Sequence, residues 1–125
     1  DRAQVTVVRR LAPGDVPVQV DEAQFRQVLL NLIRNAREAM AGGGTLTFET
    51  RQAHSRVELR ISDTGAGIPE AVRASLFEPF FSTKERGTGL GLSLSRQILE
   101  AHRGSIVAEK TAQGASFLIT LPAAA

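Results

Sequence analysis

Two asparagines, Asn31 and Asn35, stand four residues apart in the stretch NLIRNAREAM. Four helical residues rise about 6 Å and turn about 40° past a full circle, so both side chains share a face. Asparagine is a poor helix former, and two of them in mid-helix invite a chemical reason. An amide oxygen is a hard, neutral ligand suited to Mg²⁺ that also holds phosphate oxygens and waters. The alternative is a solvated face, with Gln27, Arg34 and Glu38 extending a polar stripe. Asp63 follows an alternating segment and opens the loop DTGAGIP. A carboxylate there can accept a hydrogen bond from an amino group such as the exocyclic amine of adenine. Gly65 and Gly67 allow a flat ring to lie against backbone and permit positive φ. The alternative is a tight turn.

Gly87-Thr88-Gly89-Leu90-Gly91 opens a second helical stretch. Free N–H groups at a helix start, approached closely past glycines, form an anion site. Dinucleotide binding would require GxGxxG directly after a strand, and here the glycines follow a long irregular loop. That loop, FEPFFSTKERG, carries Phe77, Phe80 and Phe81, which can pin it to a core. Ser82, Thr83, Lys84 and Arg86 are donors able to reach phosphates when it closes. A hydrophobic latch with a solvated tip is the alternative.

The elements that position these groups are legible from periodicity. Gln4–Leu11 reads as a strand, Pro13-Gly14-Asp15 as a turn, and Val16–Val20 as a short extended segment. Asp21 is a helix N-cap, and Gln24 stands where it could complete a capping box. The helix runs to about Met40, with Phe25, Val28, Leu29, Leu32, Ile33, Ala36 and Ala39 as its apolar stripe. Gly42-Gly43-Gly44 stops it. Thr45–Arg51 and Arg56–Ser62 alternate as a hairpin turning at His54. Pro69, at a first helical position, starts a short helix to about Leu76. Phe77–Gly87 lacks a period and reads as a mobile loop. Thr88–His102 is a second long helix ended by Gly104, and Ser105–Lys110 and Ala115–Leu121 form a last hairpin. Sequence-adjacent strands joined by short turns point to antiparallel pairing. The fold class is α+β. We expect a two-layer α/β sandwich whose mixed, mostly antiparallel sheet of about five strands is covered on one face by about three helices.

The 125 residues suit one domain with one core, spanning 1–125. The chain has no cysteine, which excludes disulfides and thiolate metal sites. A net charge of +2, without a basic block or aromatic–basic alternation, argues against nucleic-acid binding. No apolar run approaches the roughly 18 residues that cross a bilayer, and Asp1–Leu11 has no signal-peptide pattern. The expectation is a soluble, cytoplasmic piece without direct membrane contact, whose parent is free to be anchored in an inner membrane.

Taken together, QVLLNLIRNAREAM, DTGAGIP, LFEPFFSTK and GTGLGLSLSRQILEAHRG resemble the N box, first glycine box, F box and second glycine box of sensor histidine kinase catalytic domains. These are a branch of the superfamily shared with DNA gyrase and mismatch-repair ATPases. FEPFFSTK with NAREAM is most similar to the nitrogen-regulation type, whose partners are often enhancer-binding response regulators. The resemblance covers about Asp21 to Leu121. It implies that ATP and Mg²⁺ are the cofactors. Asn35 holds the metal and Asn31 supports it; these two and Lys84 are the catalytic group. Asp63 binds the adenine amine, with Gly65, Gly67 and Ile68 beside the base. Phe80, Thr83, Lys84 and Arg86 close over the nucleotide, and Gly87, Thr88, Gly89, Leu90 and Gly91 wrap its phosphates. Two positions depart from the family pattern. Glu38 stands where many members carry Lys or Arg, so phosphate neutralisation leans on Lys84, Arg86, Arg37 and Mg²⁺. Gly114-Ala115-Ser116 replaces Gly-Thr, which puts a water-mediated adenine contact in doubt.

Three functions compete: phosphoryl transfer to a protein histidine, ATP hydrolysis driving a clamp, and a binding module without chemistry. Hydrolytic relatives place a glutamate base four residues before the metal-binding asparagine. Here that place is Asn31, and an amide cannot take a proton. His54, in a hairpin turn, and His102, at a helix end, lack the acidic neighbour of a phosphoacceptor and read as ordinary surface histidines. The acceptor histidine is therefore expected on dimerisation helices N-terminal to residue 1. The resemblance then implies the kinase: the γ-phosphoryl of ATP passes to that histidine and onward to a response regulator.

Overall fold

Residues 5–12, 17–78 and 91–124 are described by the structure, a computed structural model. Along the chain run β1 (Val5–Arg10), α1 (Glu22–Ala39), β2 (Gly44–Ala53), β3 (Arg56–Asp63), α2 (Glu70–Arg73), α3 (Gly91–Ala101), β4 (Ser105–Glu109) and β5 (Ser116–Pro122). The strands form one sheet in the order β1-β2-β3-β5-β4. Three of its pairings are antiparallel: β2 with β3 and β4 with β5 across short turns, and β3 with β5 across a long connection. The fourth, β1 with β2, is parallel. Sequence adjacency is the wrong guide there, because the connection contains the whole of α1 and works as a crossover. Val16–Val20, expected as an extended segment, makes no strand among its described residues, and Val18 forms a single bridge to Ala123.

Period-two alternation decides which side chains meet the helices. Val57, Leu59 and Ile61 of β3 pair with Leu121, Ile119 and Phe117 of β5. Leu46 and Phe48 of β2 continue that face to one side, and Ile106 of β4 to the other. Val28, Leu32, Ala36 and Met40 of α1 and Leu99 of α3 close the core against it. Each of these larger side chains contributes about 1.5–3 kcal/mol by burial. Ile119, on the strand between β3 and β4, is fully buried, and truncating it to alanine costs about 2–5 kcal/mol. The opposite face is polar. Arg51 pairs with Glu58 there, and Arg60 makes two bonds of 2.7 and 3.0 Å to Glu109. Ser116 donates to the same carboxylate. The Arg60 hydrogen bond, more than the opposing desolvation, holds the Glu109 carboxyl below its ordinary range, and Ser116 helps. The same bond raises the Arg60 guanidinium.

The helix ends differ in detail from expectation. Asp21 caps α1 by accepting the Gln24 N–H at 2.9 Å. The other half of the box belongs to His102, whose Nε2 accepts the Asp21 N–H at 3.0 Å. Pro69 sits at the N-cap of α2, one position earlier than expected. At the end of α3, Gly104 N–H bonds to the Leu99 carbonyl and Arg103 N–H to that of Glu100. This is a Schellman closure, and its left-handed residue is Arg103, with φ 64°. Gly104 serves a different purpose, since a Cβ there would stand 2.5 Å from the Thr120 carbonyl oxygen.

Candidate functional site

Asn31 does not lie on a solvated stripe. Only 7% of it is exposed, because it stands three residues after Val28 and faces α3. Its Nδ2 donates to the Gly91 carbonyl at 3.1 Å and to Ser95 Oγ at 3.3 Å. Its Oδ1 accepts from Gln27 Nε2 at 3.1 Å. Ser95, itself fully buried, donates to the same Gly91 carbonyl at 2.9 Å. With Asp21 meeting His102, the antiparallel helix α3 is joined near both its ends to α1, at the N-cap and near the middle of that helix.

Asp63 continues the inward alternation of Val57, Leu59 and Ile61, so its carboxylate emerges on the helix-covered face at the end of β3. It is 8% exposed. Its Oδ1 accepts the Gly65 N–H at 2.8 Å and the Ala115 N–H at 3.3 Å, and no bond to Oδ2 is made among the described residues. The loop after it is held by backbone contacts. Ala66 N–H bonds to the Ala39 carbonyl of α1, and a Cβ on Gly65 would sit 2.4 Å from that oxygen. Gly67 has φ 84°. A Cβ on Gly114 would stand 1.8 Å from the Asp63 carbonyl oxygen. Glycine is therefore required at 65 and 114 by close approach and at 67 by its dihedral. Ile68 packs against the core and lines a shallow groove with Gly114.

Asn35 is half-buried on α1, one turn before Ala39, whose carbonyl touches the Gly65 loop. That places it between the Asn31 contact with α3 and the Asp63 loop. Among the described residues, no three acidic, histidine or cysteine side chains gather to hold a metal. A divalent cation here would take most of its oxygens from a phosphate-bearing ligand and water, which suits Mg²⁺. By residue type Asn35 would be its amide donor. Asn31, one turn before it, has an oxygen that accepts from Gln27 and keeps a second lone pair. Gly91 lies at the described start of α3 against Asn31, while Phe80, Thr83, Lys84, Arg86, Gly87, Thr88, Gly89 and Leu90 fall outside the described residues. Arg37 is exposed. Phe77 stacks edge-on against Phe117 with ring centres 6.3 Å apart, and the Arg96 guanidinium lies 5.8 Å from the centre of its ring. These contacts hold Phe77 against the core, while Phe81 and Ser82 lie outside the described residues.

Several residues that shape the site escaped the sequence reading. Ser95 and Gln27 complete the Asn31 contacts, and the Ala115 N–H holds Asp63. Ser95 carried a signal, a hydroxyl four residues after Gly91 on the inner side of an amphipathic helix. His102 is more than a surface histidine, since both its ring nitrogens are engaged, Nδ1 lying 2.8 Å from the Ile98 carbonyl oxygen. His54 is exposed in its turn.

A sheet covered by helices on one face, a buried acid opening a glycine-walled loop, and an asparagine-bearing helix beside it define a nucleotide-binding α/β sandwich. Residues 20–125 match the family of histidine kinase-, DNA gyrase B- and HSP90-like ATPases. The sensor protein FixL of Bradyrhizobium diazoefficiens is 48% identical over 91% of this chain, which spans 23% of FixL. The sensory histidine kinase/phosphatase NtrB of Rhodobacter capsulatus is 36% identical over 98% of the chain, which spans 38% of NtrB. The catalytic domain of histidine kinase ThkA superimposes with a TM-score of 0.86 at 34% identity, covering 94% of this chain and 78% of that one. ThkA has also been solved in complex with the response regulator protein TrrA. The chain belongs to this ATPase family and, within it, to the catalytic domains of sensor histidine kinases. NtrB is among its relatives, as the FEPFFSTK and NAREAM motifs suggest, with FixL more similar still.

Proposed function

We propose that the chain positions Mg-ATP for transfer of the γ-phosphoryl to a histidine on dimerisation helices of the same parent protein. The observation that carries this reading is the Asp63 carboxylate. It is buried, fixed through Oδ1 by two backbone N–H groups, and presents Oδ2 beside a loop with no side chains at 65 and 67. Oδ2 would accept the adenine amine, and Gly65 and Gly67 would let the ring lie on backbone. Asn35, at the next level of α1, would offer its amide oxygen to Mg²⁺. The metal, when bound, would supply positive charge to neutralise the phosphates. The described start of α3 would face the phosphates, and Lys84 and Arg86 would add charge.

Water activation has no agent in Asn31. Its amide is not a base, and its oxygen already accepts from Gln27. The nucleophile must bring its own reactivity, which suits an imidazole supplied from outside the chain. ThkA's complex with a response regulator supports the onward step: the parent would pass phosphate to a response regulator, and the FEPFFSTK and NAREAM motifs favour the enhancer-binding class. Cytoplasmic placement fits this scheme, and no helix among the described residues is long and apolar enough to cross a membrane.

The test is phosphate release and self-labelling by the purified chain, alone and mixed with its parent's dimerisation helices. Alone it should bind ATP without turnover. With the helices, an acid-labile, base-stable label should appear on their histidine. Turnover near the roughly 1 s⁻¹ low end of ordinary enzymes by the chain alone would replace the kinase with an ATP-driven clamp.

A further inference from the structure

We infer that Asn31, Ser95 and Gln27 form a clasp that positions the start of α3, and that through it Asn31 and Ser95 act as positioning residues for the phosphate end of the nucleotide. The inference rests on the nucleotide reading of the site for its functional half. Its structural half stands on geometry alone.

Both polar atoms of the Asn31 side chain have partners within the protein. One nitrogen serves two acceptors on α3, and the oxygen takes the Gln27 amide. The contacts converge on one atom, the Gly91 carbonyl oxygen, which receives the Asn31 amide at 3.1 Å and the Ser95 hydroxyl at 2.9 Å. Ser95 Oγ is both donor and acceptor: its proton goes to Gly91 and its lone pair faces Asn31. A neutral amide is the side chain that suits this place. It supplies the N–H donors the carbonyl and hydroxyl need and carries the oxygen Gln27 needs, whereas a carboxylate would set oxygen against the Gly91 oxygen. The site is 7% exposed at Asn31 and closed at Ser95, so lost bonds are not replaced by bulk water. Fixing Gly91 fixes the direction in which α3 presents its first turn. Phosphate binding at a helix start depends on that direction.

The experiment uses two neutral variants, Asn31→Leu and Ser95→Ala, in this chain. Amide hydrogen exchange followed by NMR without nucleotide should speed up about tenfold or more at Ser95 or its alanine replacement and at Arg96 in both variants, the loss expected of one or two buried hydrogen bonds. NMR titrations with ATP and with adenosine should then split. Affinity for ATP should fall about tenfold while that for adenosine, which engages the Asp63 end alone, stays unchanged. Ser95→Ala is decisive, since Ser95 is fully buried behind Asn31 and Gly91 and bonds to both, and it carries the test if Asn31→Leu fails to fold. Unchanged exchange at the start of α3 in Ser95→Ala would overturn the clasp. Unchanged ATP affinity with faster exchange, or equal losses for ATP and adenosine, would overturn the positioning role. Failure of the unaltered chain to bind either compound would instead refute the nucleotide reading, leaving exchange to judge the clasp.

Discussion

The backbone N–H of Asp21 donates to Nε2 of His102 at 3.0 Å, so the residue that caps α1 is itself held by the residue that follows α3. The Ile98 carbonyl near Nδ1 can only accept, so Nδ1 is the donor there and Nε2 offers its lone pair to Asp21. Replacing His102 by alanine removes both bonds and leaves an N-cap N–H to water. The expected cost is about 1–2 kcal/mol, measured by urea unfolding, with Gln recovering part of it. An alanine variant as stable as the parent chain would reduce the contact to coincidence.

Asp63 has two duties that a substitution must separate. Alanine removes the proposed adenine contact and also the anchor for the Gly65 and Ala115 N–H groups. Asparagine keeps an oxygen for those groups while losing the charge. Both should weaken ATP and adenosine alike by about 1.5–3 kcal/mol, the range for a hydrogen bond to a charged group, and alanine alone should also lower thermal stability. Calorimetric ADP affinity unchanged in both variants would dismiss Asp63 as the adenine acceptor.

Arg103 holds a left-handed conformation at φ 64°, which costs a non-glycine residue about 1–2 kcal/mol. Glycine there relieves the strain but loosens the unfolded chain. A net gain of up to about 1 kcal/mol is expected, visible as a rise of about 3–6 °C in melting temperature. A fall in melting temperature would mean that the Arg103 side chain earns more than its backbone loses.

Glu109 provides an acid-sensitive element. Its carboxyl is lowered by Arg60 and then by Ser116, so the folded state binds its proton less readily than the unfolded chain. The associated stability is present above the ordinary value of 4.5 and disappears as pH falls through the lowered folded value. The Arg60 side chain is 39% exposed, so screening limits the effect to about 1 kcal/mol or less. Glu109→Gln should therefore destabilise the chain at neutral pH and flatten its acid-unfolding curve below pH 4.5. Parallel curves for the two proteins would exclude this pair from the acid response.

The long helix, the two hairpins and the acid-bearing loop were legible because local periodicity and turn residues fix them. The burial of Asn31 was not. Counting polar residues put it opposite the apolar stripe, while its spacing of three from Val28 places it at the stripe's edge, where α3 covers it. Packing of one helix on another is not written in the period of either. The expected mixed sheet holds, but which pair is parallel was not legible, since a crossover is decided by what α1 must cover. At the end of α3, Gly104 drew attention as the expected terminator, and the strain sits one residue earlier.

That parallel pair also orders the folding of the chain. A two-residue turn at His54 and Ser55 brings β2 against β3 at little entropic cost, whereas Val5 reaches Gly44 only after the intervening helix has formed and docked. β1 should join the sheet late and detach first. It lies at the edge of the sheet formed by the described residues, beside β2. Its detachment bares the hydrogen-bonding row of Gly44–Glu49 in β2 to another chain. The weak point against aggregation is thus the β1–β2 edge of the sheet, on the side away from the β4–β5 hairpin.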